Sequence, residues 1–281
     1  MKRGLVMEGG AMRGMFTAGV TDVMMEHDIE FDGAIGVSAG AVFGCNFKSK
    51  QPGRVIRYNA AYCTNPHYAG LRTFVKTGDI FGEQFCYHDV PDSLDPFDYK
   101  TYRENPMEFY VVATDVNTGK PVYQRVDACD GEGMKWLRAS ASIPMVSNIV
   151  RAGGYELLDG GIADSIPVAY FEGLGFARNV LITTRPLEYR KEPNKTLPLA
   201  RIRLCRYPNM IAAMENRHVH YNATVEEIIR REKAGELFVI RPPKPIEVGA
   251  VERSRQKLLA AYQMGRDTME ERLWALREYL G

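Results

Sequence analysis

Three glycine-marked turns carry residue types suited to acyl transfer. Gly36-Val37-Ser38-Ala39-Gly40 has the spacing G-x-S-x-G. In that arrangement a serine rides a sharp strand-to-helix turn, and the flanking glycines remove side chains where strand and helix converge. The same letters also describe a glycine-flanked turn with an N-capping serine, so the motif alone does not decide. Upstream lies Glu8-Gly9-Gly10-Ala11-Met12-Arg13-Gly14. Attack on an ester carbonyl builds negative charge on its oxygen, and backbone N–H groups fixed in advance stabilise that charge. A Gly-Gly turn opening a helix offers such donors with little steric cover. Dinucleotide loops open on an alternating G-x-G and phosphate loops carry a lysine; this stretch has neither. The third turn, Asp159-Gly160-Gly161, supplies a carboxylate.

The elements that must position these turns follow from the local pattern. Gly4-Leu5-Val6-Met7 is a short apolar run before the first turn, and it predicts a buried strand. Residues 13–27 carry Phe16, Val20, Val23 and Met24 at helical spacing. Residues 31–37 predict a second strand, and residues 41–47 a small-residue helix. Strand, helix, strand, helix implies parallel pairing through a right-handed crossover. Gly10 and Ser38 are 28 residues apart, about one such unit. Both turns then lie at the carboxyl edge of one sheet, where ligands of open α/β sheets bind. Strands are also predicted over 108–114, 121–126, 155–158, 180–184 and 237–240, and a helix over 135–142. Asp159 follows one of these strands, so a third strand end can reach the same edge.

Residues 51–100 are rich in Tyr, Pro, Gly and Asp and have weak periodicity. They read as a helix plus a long insertion. Tyr58, Tyr62, Tyr68, Leu71, Phe74 and Phe81 lie there. Aromatics of this kind suit either core packing or the mouth of an apolar channel, and whether they form a lid is left open. Beyond residue 200 the pattern turns to long helices, over 209–233 and 251–280. Leu258, Tyr262, Met269, Leu273, Leu276 and Leu280 form an apolar stripe on the last, expected to pack against the main domain. The division is therefore 1–190 for a catalytic domain and 191–281 for a mainly helical extension packed on it.

Composition narrows the classes. The 281 residues are 45% hydrophobic and 25% charged, with net charge +1 from 36 Lys+Arg and 35 Asp+Glu. That excludes a disordered chain and gives no electrostatic reason to expect nucleic acid. The five cysteines, Cys45, Cys63, Cys86, Cys129 and Cys205, form no C-x-x-C pair, so neither a disulfide framework nor a zinc site is expected. There is no apolar run long enough for a membrane span and no apolar signal-peptide core. A cytoplasmic location is expected, with only transient contact at a membrane surface.

Histidine is where the pattern departs from the common serine hydrolase. The five are His27, His67, His88, His218 and His220, and none sits in a strand-end turn. His218 and His220 follow Ser38 and Asp159 in the chain order of a Ser-Asp-His triad, but they fall inside a predicted helix beside Arg217. A carboxylate can instead take the serine proton directly if partial burial lifts its pKa.

Taken together, the three turns in this order resemble the patatin-like phospholipase family. Val112-Ala113-Thr114-Asp115 with Thr118-Gly119, and Ala139-Ser140-Ala141-Ser142-Ile143-Pro144, add to the match, which covers about residues 4–185. The tail with Leu237-Phe238-Val239-Ile240-Arg241-Pro242 is similar to the extension of bacterial members. The resemblance implies a three-layer α/β fold with a central, mostly parallel sheet, and a lipid acyl hydrolase that needs neither metal nor organic cofactor. It implies Ser38 as nucleophile and Asp159 as base. Gly9, Gly10 and Ala11 become the oxyanion loop, Arg13 and Gly14 complete its motif, and Gly36, Gly40, Gly160 and Gly161 support the two functional turns. The family usually has Asp where Glu8 stands, Gly at Ala11 and often Asn at Ser165. An L-residue at position 11 keeps its N–H, but a positive φ there costs about 1 kcal/mol. A histidine-dependent esterase and a non-catalytic acyl-binding protein on the same fold are the rival readings.

Overall fold

The computed structural model describes all 281 residues. Its eight strands are β1 (Lys2–Met7), β2 (Gly33–Val37), β3 (Glu108–Asp115), β4 (Pro121–Arg125), β5 (Val150–Ala152), β6 (Tyr155–Asp159), β7 (Phe176–Ile182) and β8 (Phe238–Ile240). They form one sheet in the order β5-β6-β3-β2-β1-β7-β8, with β4 on the other edge of β3. The stretch β3-β2-β1-β7-β8 is parallel throughout.

The strands alternate sides as a two-residue period requires. Leu5 and Met7 of β1 belong to a core of 47 buried residues on one face, and Val6 to a core of 13 on the other. The larger core is covered by α1 (Gly14–Glu26), α2 (Ala39–Lys48) and α3 (Arg54–Tyr62) and, past the short α4 (Leu71–Thr77), which buries only Thr73, by α5 (Tyr99–Glu104) and α6 (Gly131–Ser140). The smaller is covered by α7 (Val168–Gly173) and α9 (Pro208–Lys233), with α8 (Leu197–Arg203) leading into the latter. The fold is thus the three-layer α/β arrangement with a central, mostly parallel sheet. No helix is long and apolar enough to cross a membrane.

The last helix, α10 (Arg255–Leu280), returns to the first core and lies along α1. Leu258, Met269 and Leu276 are fully buried there. Glycine makes this approach close: a Cβ on Gly19 would strike the carbonyl oxygen of Tyr262, and one on Gly265 would strike that of Phe16. Polar contacts fix the pair, with Tyr262 Oη donating to Asp22 Oδ2 at 2.7 Å and Arg266 bridging to Glu26 at 2.7 Å. β8 adds to the sheet beside β7, so the C-terminal stretch contributes a strand as well as helices.

One detail of topology sets the site. β4 pairs with residues 110–114 of β3, and β2 and β6 share the opposite edge. β2 fills that edge up to Val112 and β6 fills it from Ala113, running antiparallel. The two strands therefore meet end to end: β2 climbs to Val37 while β6 descends to Asp159. Asp159 reaches the carboxyl edge from the opposite direction to the parallel strands, along the same line as β2.

Candidate active site

Ser38 follows β2 directly and holds φ 53° and ψ −119°. A non-glycine residue in that region costs on the order of 1–3 kcal/mol and persists only where its surroundings impose it. The surroundings here are backbone. A Cβ on Gly36 would strike the carbonyl of Gly40, and one on Gly40 would strike that of Met7. Side chains at either position would push α2 off the sheet. The Ser38 N–H donates to Ser140 Oγ at 2.8 Å, a fully buried hydroxyl at the end of α6. The start of α2 directs the positive end of its dipole at the same spot.

Ser38 Oγ donates to Asp159 Oδ2 at 2.6 Å, and Gly161 N–H donates to Asp159 Oδ1 at 2.8 Å. The Asp159 backbone is held on both sides, its N–H by Ser142 C=O and its C=O by Thr114 Oγ1, each at 2.8 Å. Ser38 and Asp159 are both 6% exposed. Burial pushes the Asp159 carboxyl above its ordinary value, while Ser38, the Arg217 charge and Gly161 N–H pull it down without cancelling the rise. A Cβ on Gly160 would strike the carbonyl of Val112, so the turn after Asp159 lies flat on β3.

The glycine loop lies against the elbow. A Cβ on Gly9 would sit 3.0 Å from Ser38 Cβ, and one on Gly10 2.6 Å from Thr184 Oγ1. The loop is pinned by other groups: Arg13 N–H donates to Gly10 C=O at 3.1 Å, and Thr184 Oγ1 to Gly9 C=O at 3.2 Å. None of these bonds uses the N–H of Gly9, Gly10 or Ala11. Ala11 has φ 48°, the left-handed geometry in which the family's usual glycine is unstrained. Gly14 begins α1, and a Cβ on it would press Ala39 Cβ at 2.8 Å. Glu8, 3% exposed, anchors the loop from below by accepting from Thr184 N–H at 2.6 Å and Tyr221 Oη at 2.8 Å. The longer acid at position 8 thereby ties the loop to Thr184, just past β7, and to Tyr221 of α9, a connection that no spacing in the chain marks.

Two cavities meet at Ser38. One, of ≈ 110 Å³, is lined by 21 residues, 18 of them hydrophobic. The other, of ≈ 160 Å³, holds Asp159, Glu8 and the glycine loop and is largely polar. Residues 51–100 supply one side of the apolar wall, with α2 and α6 supplying others. Tyr58, Tyr68 and Phe81 line it, followed by Cys86, Tyr87, Val90 and Pro91 from a π-helix spanning Phe85–Leu94. Tyr62 packs edge-on against Phe85 at 5.3 Å, Phe74 is half-buried, and Leu71 stands 73% exposed. The six residues therefore divide between cavity wall, packing and surface.

No histidine lines either cavity. His218 sits on α9 with Nδ1 3.0 Å from the Glu215 carbonyl, and His220 is exposed. No cluster of three or more His, Cys, Asp or Glu side chains has the geometry of a metal site. Sequence reasoning missed Ser140 as a direct partner of Ser38, although its stretch was singled out. It also missed Arg185, Lys191 and Arg217, which enter the polar cavity from distant positions; no spacing connects them.

The family model described as patatin-like phospholipase matches residues 5–172. A second model, a domain of unknown function (DUF6363), matches residues 207–281. The uncharacterized protein YjjU of Escherichia coli (strain K12) is 28% identical over 276 residues, 93% of this chain and 74% of YjjU. Lysophospholipase nte1 of Aspergillus oryzae is 26% identical over 180 residues, 61% of this chain but only 11% of that protein. An uncharacterized NTE family protein of Mycobacterium bovis, Mb1092c, is 25% identical over 196 residues, 68% of this chain and 52% of its own length. VipD from Legionella pneumophila, a solved structure, aligns with a TM-score of 0.49 and 14% identity, over 98% of this chain and 67% of VipD. With more than half its length matched, this chain belongs to the patatin-like phospholipase family, a family of lipid ester hydrolases.

Proposed function

We propose that this member of the patatin-like phospholipase family hydrolyses carboxylic esters of lipids by a Ser–Asp mechanism. The observation that carries the reading is the 2.6 Å hydrogen bond from Ser38 Oγ to Asp159, at a strained elbow beside a glycine loop. Ser38 Oγ attacks the ester carbonyl and Asp159 takes its proton. The N–H groups of Gly9, Gly10 and Ala11 stabilise the oxyanion. Asp159 then gives the proton to the departing alcohol. Water attacks the acyl-serine with Asp159 again as base, which regenerates Ser38. The raised pKa of Asp159 suits this role, since a base nearer neutrality accepts a proton more readily.

The acyl chain occupies the apolar cavity, where burial of each CH₂ is worth roughly 0.8 kcal/mol. Residues 1–190 form the catalytic unit, and residues 191–281 the extension that braces it through α10 and β8. The test is an ester panel, from short p-nitrophenyl esters to phospholipid vesicles, on wild type and Ser38→Ala. Turnover by wild type and a loss of ~1,000-fold or more in Ser38→Ala are expected. A folded Ser38→Ala protein within tenfold of wild type contradicts the proposal.

A further inference from the structure

The most exposed aliphatic side chains of the protein gather on two short helices. Val75, Ile202, Leu71 and Leu199 are 77%, 74%, 73% and 60% exposed, more than any other Leu, Ile or Val. Leu71 and Val75 stand one turn apart on α4, which buries only Thr73. Leu199 and Ile202 stand one turn apart on α8, whose inward side is Ala200, with buried Leu204 just beyond its end. Single exposed apolar residues are ordinary, whereas a gathering of them marks a contact surface.

Both helices are braced on residues 143–149, the stretch that leaves the cavities at Ser38. Ile143 lines both cavities. Behind α4, Asn148 Nδ2 donates to Thr77 C=O and Ile80 N–H to Val146 C=O, each at 2.7 Å. At α8, Arg203 donates to Ser147 C=O at 3.4 Å, and Met145 and Ile149 pack against the cluster that holds Ala200 and Leu204. α4 is also the tip of a loop whose two arms carry Tyr68 and Phe81 into the wall of the apolar cavity, and a bridge between Ala69 and Phe81 joins those arms. The exposed pairs thus flank the way into the site.

Charge identifies the occupant. Arg72 and Lys76 accompany the α4 pair, and Arg201, Arg203 and Arg206 the α8 pair, while no Asp or Glu occurs from Gly33 to Gly78 or from Pro193 to Met214. Of these cations only Arg201 has an acid partner, Glu215 at 3.3 Å. The net charge of +1 for the whole chain therefore hides a local basic excess. Aliphatic groups set among Lys and Arg complement an anionic lipid surface, where the apolar side chains enter the acyl boundary and the cations meet the head groups. We infer that α4 and α8 dock the protein on an anionic bilayer, with the entrance to Ser38 between them. What the docking serves rests on the ester-hydrolysis reading; the docking itself does not.

The experiment is cosedimentation of the Ser38→Ala chain with vesicles, so that no hydrolysis alters the lipid. The vesicles are phosphatidylcholine alone, or phosphatidylcholine mixed equally with phosphatidylglycerol. Ser38→Ala should bind the anionic mixture. Adding Leu71→Ser, Val75→Ser, Leu199→Ser and Ile202→Ser should weaken that binding by ~10-fold or more. Adding Arg72→Gln, Lys76→Gln and Arg206→Gln instead should remove most of the preference for the anionic mixture, as should high salt. All seven side chains are exposed, so circular dichroism and melting should match the parent. No binding by Ser38→Ala, or binding that neither set changes, overturns the inference. So does a serine set that converts a dimer to a monomer in light scattering while vesicle binding stays the same, since the face would then join two copies. With Ser38 restored, the serine set should slow cleavage of vesicle phospholipid by ~10-fold or more and leave a short p-nitrophenyl ester within about twofold; unchanged cleavage of vesicle lipid overturns the inference. Vesicle binding that both sets weaken, in a protein that cleaves no ester, supports the docking and refutes the hydrolysis reading alone.

Discussion

The two cavities at Ser38 differ in what builds them. The apolar one is walled by side chains from α2, the irregular 51–100 stretch and α6, packed by area and shape. The polar one is framed by backbone, with its glycine loop and Asp159 turn held by hydrogen bonds and its charges brought in from the loop after β7 and from α9. A wall made by packing tolerates exchange of one apolar group for another of similar volume. A frame made of fixed donors tolerates little, because a displaced N–H or carboxylate loses its alignment with the reacting atoms. Changes on the polar side should therefore reduce the rate on every ester, and changes on the apolar side should alter which ester is chosen.

The largest effect is expected at Asp159. Asp159→Asn should lower kcat by ~1,000-fold or more on all esters, while His218→Ala with His220→Ala leaves kcat within a few-fold. Steady-state kinetics on folded protein checks both, and a collapse in the histidine variant would move the base to α9. A smaller, selective effect is expected at Val42, one turn into α2 on the apolar wall. Val42→Trp should cut kcat/KM for long-chain esters by ~10-fold and leave short ones within about twofold. Equal losses on both would remove the distinction between wall and frame.

pH dependence sharpens the polar side. Burial raises the Asp159 carboxyl, and the base acts only when ionised. Activity should therefore fall with decreasing pH along a limb lying above the ordinary carboxylate value of about 3.9. A folded-state pKa raised above the unfolded one gives stability that is full below the unfolded value and lost as pH rises through the folded value. Asp159→Asn should accordingly raise the melting temperature near neutral pH, and the gain should shrink in acid. An acid limb at the ordinary value, or no gain in stability, would place Asp159 in a more solvated setting. The smallest effect is at Ala11, where φ is 48°. Ala11→Gly should stabilise the loop by about 1 kcal/mol or less, read by denaturant melts.

The same contrast explains what the sequence made legible. Gly36, Ser38, Gly40, Gly9, Gly10 and Asp159 mark places where the backbone must turn sharply or approach closely, and such demands leave a signature in residue type. The strands and the helices around them follow from apolar periodicity. The antiparallel arrival of β6 does not, since strand direction depends on how the 116–154 stretch crosses the edge. The π-helix over Phe85–Leu94 and the aromatic wall were equally hidden, because packing among Tyr58, Tyr68 and Phe81 obeys no fixed spacing. Arg185, Lys191 and Arg217 share a cavity only through the fold, so no pattern in the chain joins them.

The central claim is that Ser38 is the nucleophile, and covalent capture tests it most directly. Wild type and Ser38→Ala are treated with a fluorophosphonate probe, and intact mass and peptide mapping locate the adduct. One adduct per chain on Ser38, absent from Ser38→Ala, is the predicted result; unchanged labelling of Ser38→Ala, or an adduct at another residue, would contradict it.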